Sequence, residues 1–420
     1  MDVILRELAG GIRFAGIRNS LTRAVSIGIF VRNGSVDEGK GESGLSHFLE
    51  HMNFKGTNRR DARKISVDMD DIGAQINAYT SKEITCFYVS VIDSHLKEAV
   101  DCLADIFICS VYPEDELERE KNVVIEELAM AEDTPDDVAN ETVTSLYFKG
   151  TPLEKRILGD RETIRNVSRE DLLAFRNSHY RPDNIVISAA GNFDVDTITD
   201  LLNGAFAKLR HDSCLRTGFD YSGWAPSCGI ETVKKEIEQA HIEIALPGIP
   251  FLNDMKYAVA VVSNAFGGCM SSRLFQKVRE EMGLAYSVYS FASSYRGAGI
   301  FQIYANTSGE NSIRVTEVIL SEIERLKNGG LEEDEIRRSI EQMKGEFILS
   351  SESSYAVMSL MGRNMLLKGM PVTPDMVLEK IGGIGAKDVA DAVAGIFGPG
   401  TVDLVYVGSD TARFEERFGK

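Results

Sequence analysis

Two histidines and a glutamate within five residues, His47, Glu50 and His51, are the strongest chemical signal in this chain. On an α-helix of 3.6 residues per turn, positions i, i+3 and i+4 share one face. That face puts two imidazoles and a carboxylate within reach of one ion. Neutral imidazole suits Zn2+, and a catalytic zinc site keeps three protein ligands and one open position. A carboxylate beside a water in that position can take its proton, the acid–base half of metal-assisted hydrolysis. The order is His-x-x-Glu-His, the reverse of the commoner His-Glu-x-x-His. With six histidines in 420 residues, an accidental pair in helical register beside a glutamate is rare.

Two histidines leave a third ligand to find. A helix expected over 113–130 has Pro113 in its first turn and Glu114, Asp115 and Glu116 at its positive end. It offers Glu114, Glu116, Glu118, Glu120, Glu126 and Glu127. Composition does not choose among them. Glu120 and Glu127 are seven residues apart, two turns, and share a face.

The elements that must position these groups follow from periodicity. Strands over 3–8 and 12–17 flank Ala9-Gly10-Gly11 as a hairpin, and 24–31 is a strongly apolar strand. A glycine- and charge-rich loop, 34–44, leads through Ser43 or Gly44 into the helix of His47 and His51. A helix over 62–72 precedes paired strands at 73–79 and 84–92. Helices follow over 94–109, 113–130, 135–148 and 168–178, the last capped by Ser168, and then a strand over 184–190. The pattern weakens from Leu209 to Ser227 and resumes with an apolar strand at 241–246.

The second series repeats the first. Ile164, Asp171 and Gly191 are matched by Ile381, Asp388 and Gly408 at one offset of 217, and Asp115-Glu116-Leu117 by Asp334-Glu335-Ile336 at 219. Half the chain length separates the copies, so the chain reads as a duplicated α+β unit. The expected fold is two α/β-sandwich units with mixed, largely antiparallel sheets and helices packed on them. The expected division is a zinc-binding unit at 1–208, a linker at 209–228 and a homologous second unit at 229–420 without a metal motif.

Composition bounds the partners. A net charge of −18 argues against nucleic acid and allows attraction of cationic substrates. No apolar run approaches a membrane span and the first residues read as a strand, so the expectation is a cytoplasmic protein with no membrane partner. The six cysteines are scattered without a Cys-x-x-Cys pair, which favours reduced thiols over disulfides or a thiolate zinc site.

The stretch His47-Phe48-Leu49-Glu50-His51-Met52-Asn53-Phe54-Lys55-Gly56-Thr57 resembles the zinc motif of the pitrilysin (insulysin) family of inverzincin metallopeptidases. The likeness is greatest to the catalytic subunit of mitochondrial processing peptidase and its bacterial homologues, and it runs along nearly the whole chain. It implies one Zn2+ per chain held by His47, His51 and Glu127, the last 76 residues beyond His51. It implies Glu120 as an acid assisting the site and Glu50 as general base. Asn77-Ala78-Tyr79-Thr80-Ser81 resembles the family's edge strand, where an extended substrate adds its backbone, with Asn77 and Ala78 touching it. Arg279-Glu280-Glu281-Met282-Gly283-Leu284-Ala285-Tyr286 resembles the segment whose arginine and tyrosine grip substrate and reacting carbonyl. Larger members carry four such units closing around a peptide. The resemblance therefore implies a zinc endopeptidase for peptides or unfolded segments that pairs as a homodimer to complete the shell. The alternative is a non-catalytic, peptide-holding or assembly subunit of the same fold. Such chains usually break the metal motif, which is intact here.

Overall fold

A computed structural model describes residues 3–207, 209 and 218–419; part of the expected linker, 210–217, lies outside them. Strands β1 (Val3–Glu7), β2 (Arg13–Arg18), β3 (Ala24–Val31), β4 (Gln75–Thr80), β5 (Thr85–Ile92) and β6 (Ile185–Gly191) build one sheet in the order β1-β2-β6-β3-β5-β4. Strands β7 (Ile230–Lys234), β8 (Gln239–Pro247), β9 (Ala285–Ser294), β10 (Gly299–Ser308) and β11 (Asp403–Gly408) build another in the order β7-β11-β8-β10-β9. In the first sheet β2 and β6 are parallel and the other neighbours antiparallel. In the second β7 and β11 are parallel and the rest antiparallel. The order and direction of β2-β6-β3-β5-β4 therefore repeat, strand for strand, in β7-β11-β8-β10-β9, with β1 an addition to the first copy.

The residues paired at an offset of 217 take equivalent places. Gly191 ends β6 and Gly408 ends β11. The Asp171 carboxylate accepts the Ser168 N–H at 2.9 Å, and the Asp388 carboxylate accepts the Gly385 N–H at 2.9 Å, so each opens a helix by the same device.

The chain divides into two compact units, and each takes a segment that the contiguous division at 208 assigns to the other. One comprises Met1–Leu128, Lys155–Thr217 and Ile348–Val377; the other comprises Ala129–Glu154, Gly218–Phe347 and Leu378–Lys420. Burial explains the exchange. The Pro135–Tyr147 helix packs on β8 and β11 of the second sheet and buries Ala139, Val143 and Tyr147 there. The Ser354–Lys368 helix packs on β3 and β6 of the first sheet and buries Met358 and Met361. That contact is close. A Cβ added at Gly362 would come 2.1 Å from the Phe30 ring, and one at Gly28 2.5 Å from the Met358 sulfur.

This second cover explains why β3 is apolar without alternation. Val25, Ile27, Ile29 and Val31 face a core shared with Phe48, Leu49, Phe87, Leu103 and Phe107. Ser26, Gly28 and Phe30 point to the opposite face, on the side of the Ser354–Lys368 helix. Among the described residues no helix is long and apolar enough to cross a membrane.

In the second unit Glu243 lies on β8 in register with Tyr304 of β10, itself in register with Tyr289 of β9. Glu243 is 1% exposed and its Oε2 has no hydrogen-bond partner. Burial holds its carboxyl well above the ordinary carboxylate range. Between the unfolded and folded values the native state keeps a proton that the unfolded chain has released, so stability falls as pH rises. Glu243→Gln, which is uncharged at every pH, is expected to remove this dependence. Denaturant unfolding from pH 6 to pH 9 should show the variant gaining on the wild type as pH rises; parallel curves would mean that Glu243 does not titrate there.

Candidate metal centre

The histidine helix spans Leu45–Asn53. Leu45, Phe48, Leu49 and Met52, spaced i, i+3, i+4 and i+7, are at most 2% exposed and anchor it to the core. That registration turns His47 and His51 to another face. The glutamate helix spans Glu114–Asp133 and is anchored by Leu117, Val124 and Leu128. The same registration turns Glu120 and Glu127 inward, leaves Glu114, Glu118 and Glu126 exposed, and sets Glu116 in an ion pair with Arg119.

Three donor atoms converge. His47 Nε2 and His51 Nε2 are 3.2 Å apart, and Glu127 Oε2 lies 3.8 Å from the first and 3.6 Å from the second. Among the described residues this is the one group of three histidine, cysteine or acidic side chains with ligand atoms all within 4.8 Å of one another. Zinc–ligand bonds of about 2.1 Å place tetrahedral corners about 3.4 Å apart, and the three separations bracket that value. Two histidine nitrogens and one carboxylate oxygen are also a zinc donor set by chemistry.

Burial and neighbouring charges act differently on the two rings. Burial pushes His47 down to about 3, with His51 adding to the fall and Glu120 opposing it, so the ring is neutral. Burial also disfavours the His51 cation, but the hydrogen bond to Glu120 and the charges of Glu127, Glu120 and Glu50 outweigh it and raise the ring above its ordinary value. Burial would raise Glu120, yet His51 and Lys55 hold its carboxyl below the usual range. An ionised Glu120 only accepts, so His51 Nδ1–H donates to its Oε1 at 2.8 Å and leaves Nε2 free for an ion. Lys55 Nζ grips the other Glu120 oxygen at 2.6 Å.

Glu50 does not join the ligand group. It is 9% exposed, and the Thr80 hydroxyl at the end of β4 donates to its Oε2. Burial raises the Glu50 carboxyl above its ordinary value, Thr80 and His51 pull it down, and Glu127 pushes it up. Asn77 and Ala78 lie on β4, an edge strand paired only with β5 among the described residues; Asn77 is exposed and Ala78 half-buried. Arg279 and Tyr286 belong to the second unit, in the Phe275–Glu281 helical segment and at the start of β9. The Arg279 guanidinium carbon is 4.9 Å from the centre of the Phe275 ring and 5.7 Å from that of Tyr286, and Tyr286 is 73% exposed. Spacing did not single out Lys55 or Thr80 for a role. Both stand inside stretches that resemble the family's motifs, and only their contacts give them one.

A His-His-Glu cluster on an inverted helical zinc motif, within a duplicated sheet-and-helix fold, defines a metallopeptidase-type scaffold. The chain belongs to peptidase family M16. Residues 13–161 match the model described as insulinase (peptidase family M16), and residues 166–343 match the peptidase M16 inactive domain. The uncharacterized zinc protease YmxG of Bacillus subtilis is 40% identical over 90% of this chain and 92% of its own. An uncharacterized zinc protease of Streptomyces coelicolor is 33% identical over 93% of this chain and 86% of its own. A solved structure of a peptidase M16 inactive domain from Pseudomonas fluorescens shares the fold with a TM-score of 0.90 at 19% identity, covering 97% of this chain and 98% of that one.

The cluster ranks the glutamates. Glu127→Gln is expected to abolish tight zinc binding, since it removes a ligand charge. Glu120→Gln is expected to weaken it by about 10–100-fold through a loosened His51. Glu126→Gln, on the exposed face, should leave it unchanged. Competition against a chromophoric chelator measures all three; equal loss at Glu126 and Glu127 would show the third ligand to be misassigned.

Proposed function

We propose that the chain is a zinc-dependent endopeptidase hydrolysing peptides or unfolded segments, with one Zn2+ per chain held by His47, His51 and Glu127 and with Glu50 as general base. The convergence of the three donor atoms beside a buried carboxylate that is not a ligand carries the reading. Zinc, when bound, polarises a carbonyl and makes water a stronger acid. Glu50 holds its Oε2 against Thr80, which leaves Oε1 to take a proton from the attacking water and return it to the leaving amine. A carboxyl raised by burial suits both halves of that shuttle, because it accepts a proton readily and releases it again. The free edge of β4 offers backbone groups to an extended peptide, which favours unfolded chains. The names of the relatives, zinc proteases, support the same class of reaction.

Glu50→Gln keeps shape and removes the base. It is expected to retain zinc by elemental analysis while cleavage of a quenched peptide falls by about 10²–10⁴-fold. Wild-type rates in that variant would sink the mechanism.

The reading extends to assembly. Two copies pair as a homodimer, and Arg279 and Tyr286 of one chain complete the zinc site of the other inside a closed chamber. Tyr286 supports the developing oxyanion and Arg279 grips the peptide. The exposure of Tyr286 and its closeness to Arg279 support a role toward something outside their own unit. Glu50→Gln and Tyr286→Phe chains should each be nearly inactive alone. After subunit exchange, half the dimers are mixed and one of their two sites is whole, so about a quarter of wild-type activity should return. No recovery despite proven exchange would overturn the shared site.

A further inference from the structure

The histidine helix lacks a side-chain cap of its own. Gly44 stands at its N-cap with φ +87° and contributes no capping group. A Cβ there would come 2.6 Å from the Leu158 carbonyl oxygen, so a serine or aspartate could not replace it without displacing that backbone. The first-turn N–H groups still need acceptors. His47 is the third helical residue, within the turn that frays first in an unsupported helix. One of the three metal-ligating residues thus sits where helical order is weakest.

The Leu45 N–H goes to the Glu42 carbonyl at 2.9 Å, and Glu38, six residues upstream of Gly44, supplies two further acceptors. Its Oε2 accepts the Gly44 N–H at 2.9 Å and its Oε1 accepts the Ser46 N–H at 2.9 Å. One carboxylate oxygen is thus spent on the N-cap and the other on the first turn, and Ser46 adjoins His47. Glu38 is 3% exposed, and burial pushes its carboxyl up to about 7 against the pull of those N–H groups, the Ser46 hydroxyl and Lys155. Lys155 Nζ donates to the Glu38 carbonyl oxygen, and the Lys155 carbonyl accepts from Lys82 Nζ in the β4–β5 turn. Ser35 N and Val36 N donate to Ser81 O and Lys82 O of that turn at 3.4 and 3.0 Å. Through these bonds the start of the histidine helix is tied to the turn that follows Thr80, the residue holding Glu50.

We propose that Glu38 is a positioning residue for the metal centre: it caps the histidine helix from outside, fixing the turn that carries His47 against the strand that carries Thr80. The inference rests on reading His47, His51 and Glu127 as a zinc site. A preorganised ligand binds metal more tightly than one that must be ordered on binding. Loss of the external cap should therefore appear in metal affinity and coordination geometry, beyond any change in folding.

Glu38→Gln keeps the shape but turns an amide NH2 toward one of the two N–H donors. Zinc affinity is read by chelator competition and ligand geometry by the visible spectrum of the Co2+-loaded protein. The variant is expected to bind zinc at least about tenfold more weakly and to show a shifted Co2+ spectrum at saturation. A lowered melting temperature with wild-type affinity and spectrum would make Glu38 a folding residue only and overturn the proposal. If the wild type binds no zinc, the metal reading falls and this inference with it; a wild type that binds tightly beside an unchanged variant removes this inference alone. Should Glu38→Gln fail to fold, hydrogen exchange in the wild type decides. Gly44 and Ser46 amides protected as strongly as the middle of the helix support the cap, and exchange at the rate of free amides overturns it.

Discussion

Two imidazole nitrogens held 3.2 Å apart, both facing a carboxylate oxygen, form a donor set that one shared cation can bridge. Burial keeps His47 neutral, while the neighbouring carboxylates raise His51. A metal ion would take all three donors at once. The surroundings are arranged to keep the nitrogens facing inward. Glu120 fixes the His51 tautomer, Lys55 fixes Glu120, and the apolar stripes of two helices lock both backbones. An unpaired buried polar group is costly, and among the described residues His47 Nδ1 is one.

Glu50 and the three donors differ in how they are held. The donors are positioned by the faces of two helices, while Glu50 is oriented by Thr80 on an edge strand. Glu50, itself on the histidine helix, thereby bridges that helix and the edge strand β4. The bonds through Glu38, Lys155 and Lys82 run between those two elements.

Duplication supplied the scaffold twice and the chemistry once. Strand order, strand direction, the helix-opening aspartates Asp171 and Asp388 and the strand-ending glycines Gly191 and Gly408 all recur. These features serve the backbone, which both copies need. No second His-x-x-Glu-His follows in the later copy. In its place the second unit presents an exposed Arg279 beside an exposed Tyr286, side chains that are not zinc ligands.

Local periodicity made much of this legible in the sequence. The helical register of His47, Glu50 and His51, the shared face of Glu120 and Glu127 and the capping serine at 168 depend on residues near one another in the chain, and the repeat of the unit shows as a constant offset. The two sheets with one parallel pair each agree with the expected mixed, largely antiparallel class. What tertiary structure decided depends on residues far apart. Spacing left six glutamates open, and the core contacts of Leu117, Val124 and Leu128 turned Glu120 and Glu127 inward. A contiguous split at 208 missed the exchange of the Pro135–Tyr147 and Ser354–Lys368 helices, because a helix with one apolar face does not encode which sheet will cover it. Lys55, Thr80 and Glu38 acquired roles only through partners 65, 30 and 8 positions away, each in an element other than the residue's own. The sequence by itself determined which side chains share a face; the fold determined which faces meet, because burial, unlike helical periodicity, is a property of the whole packed chain.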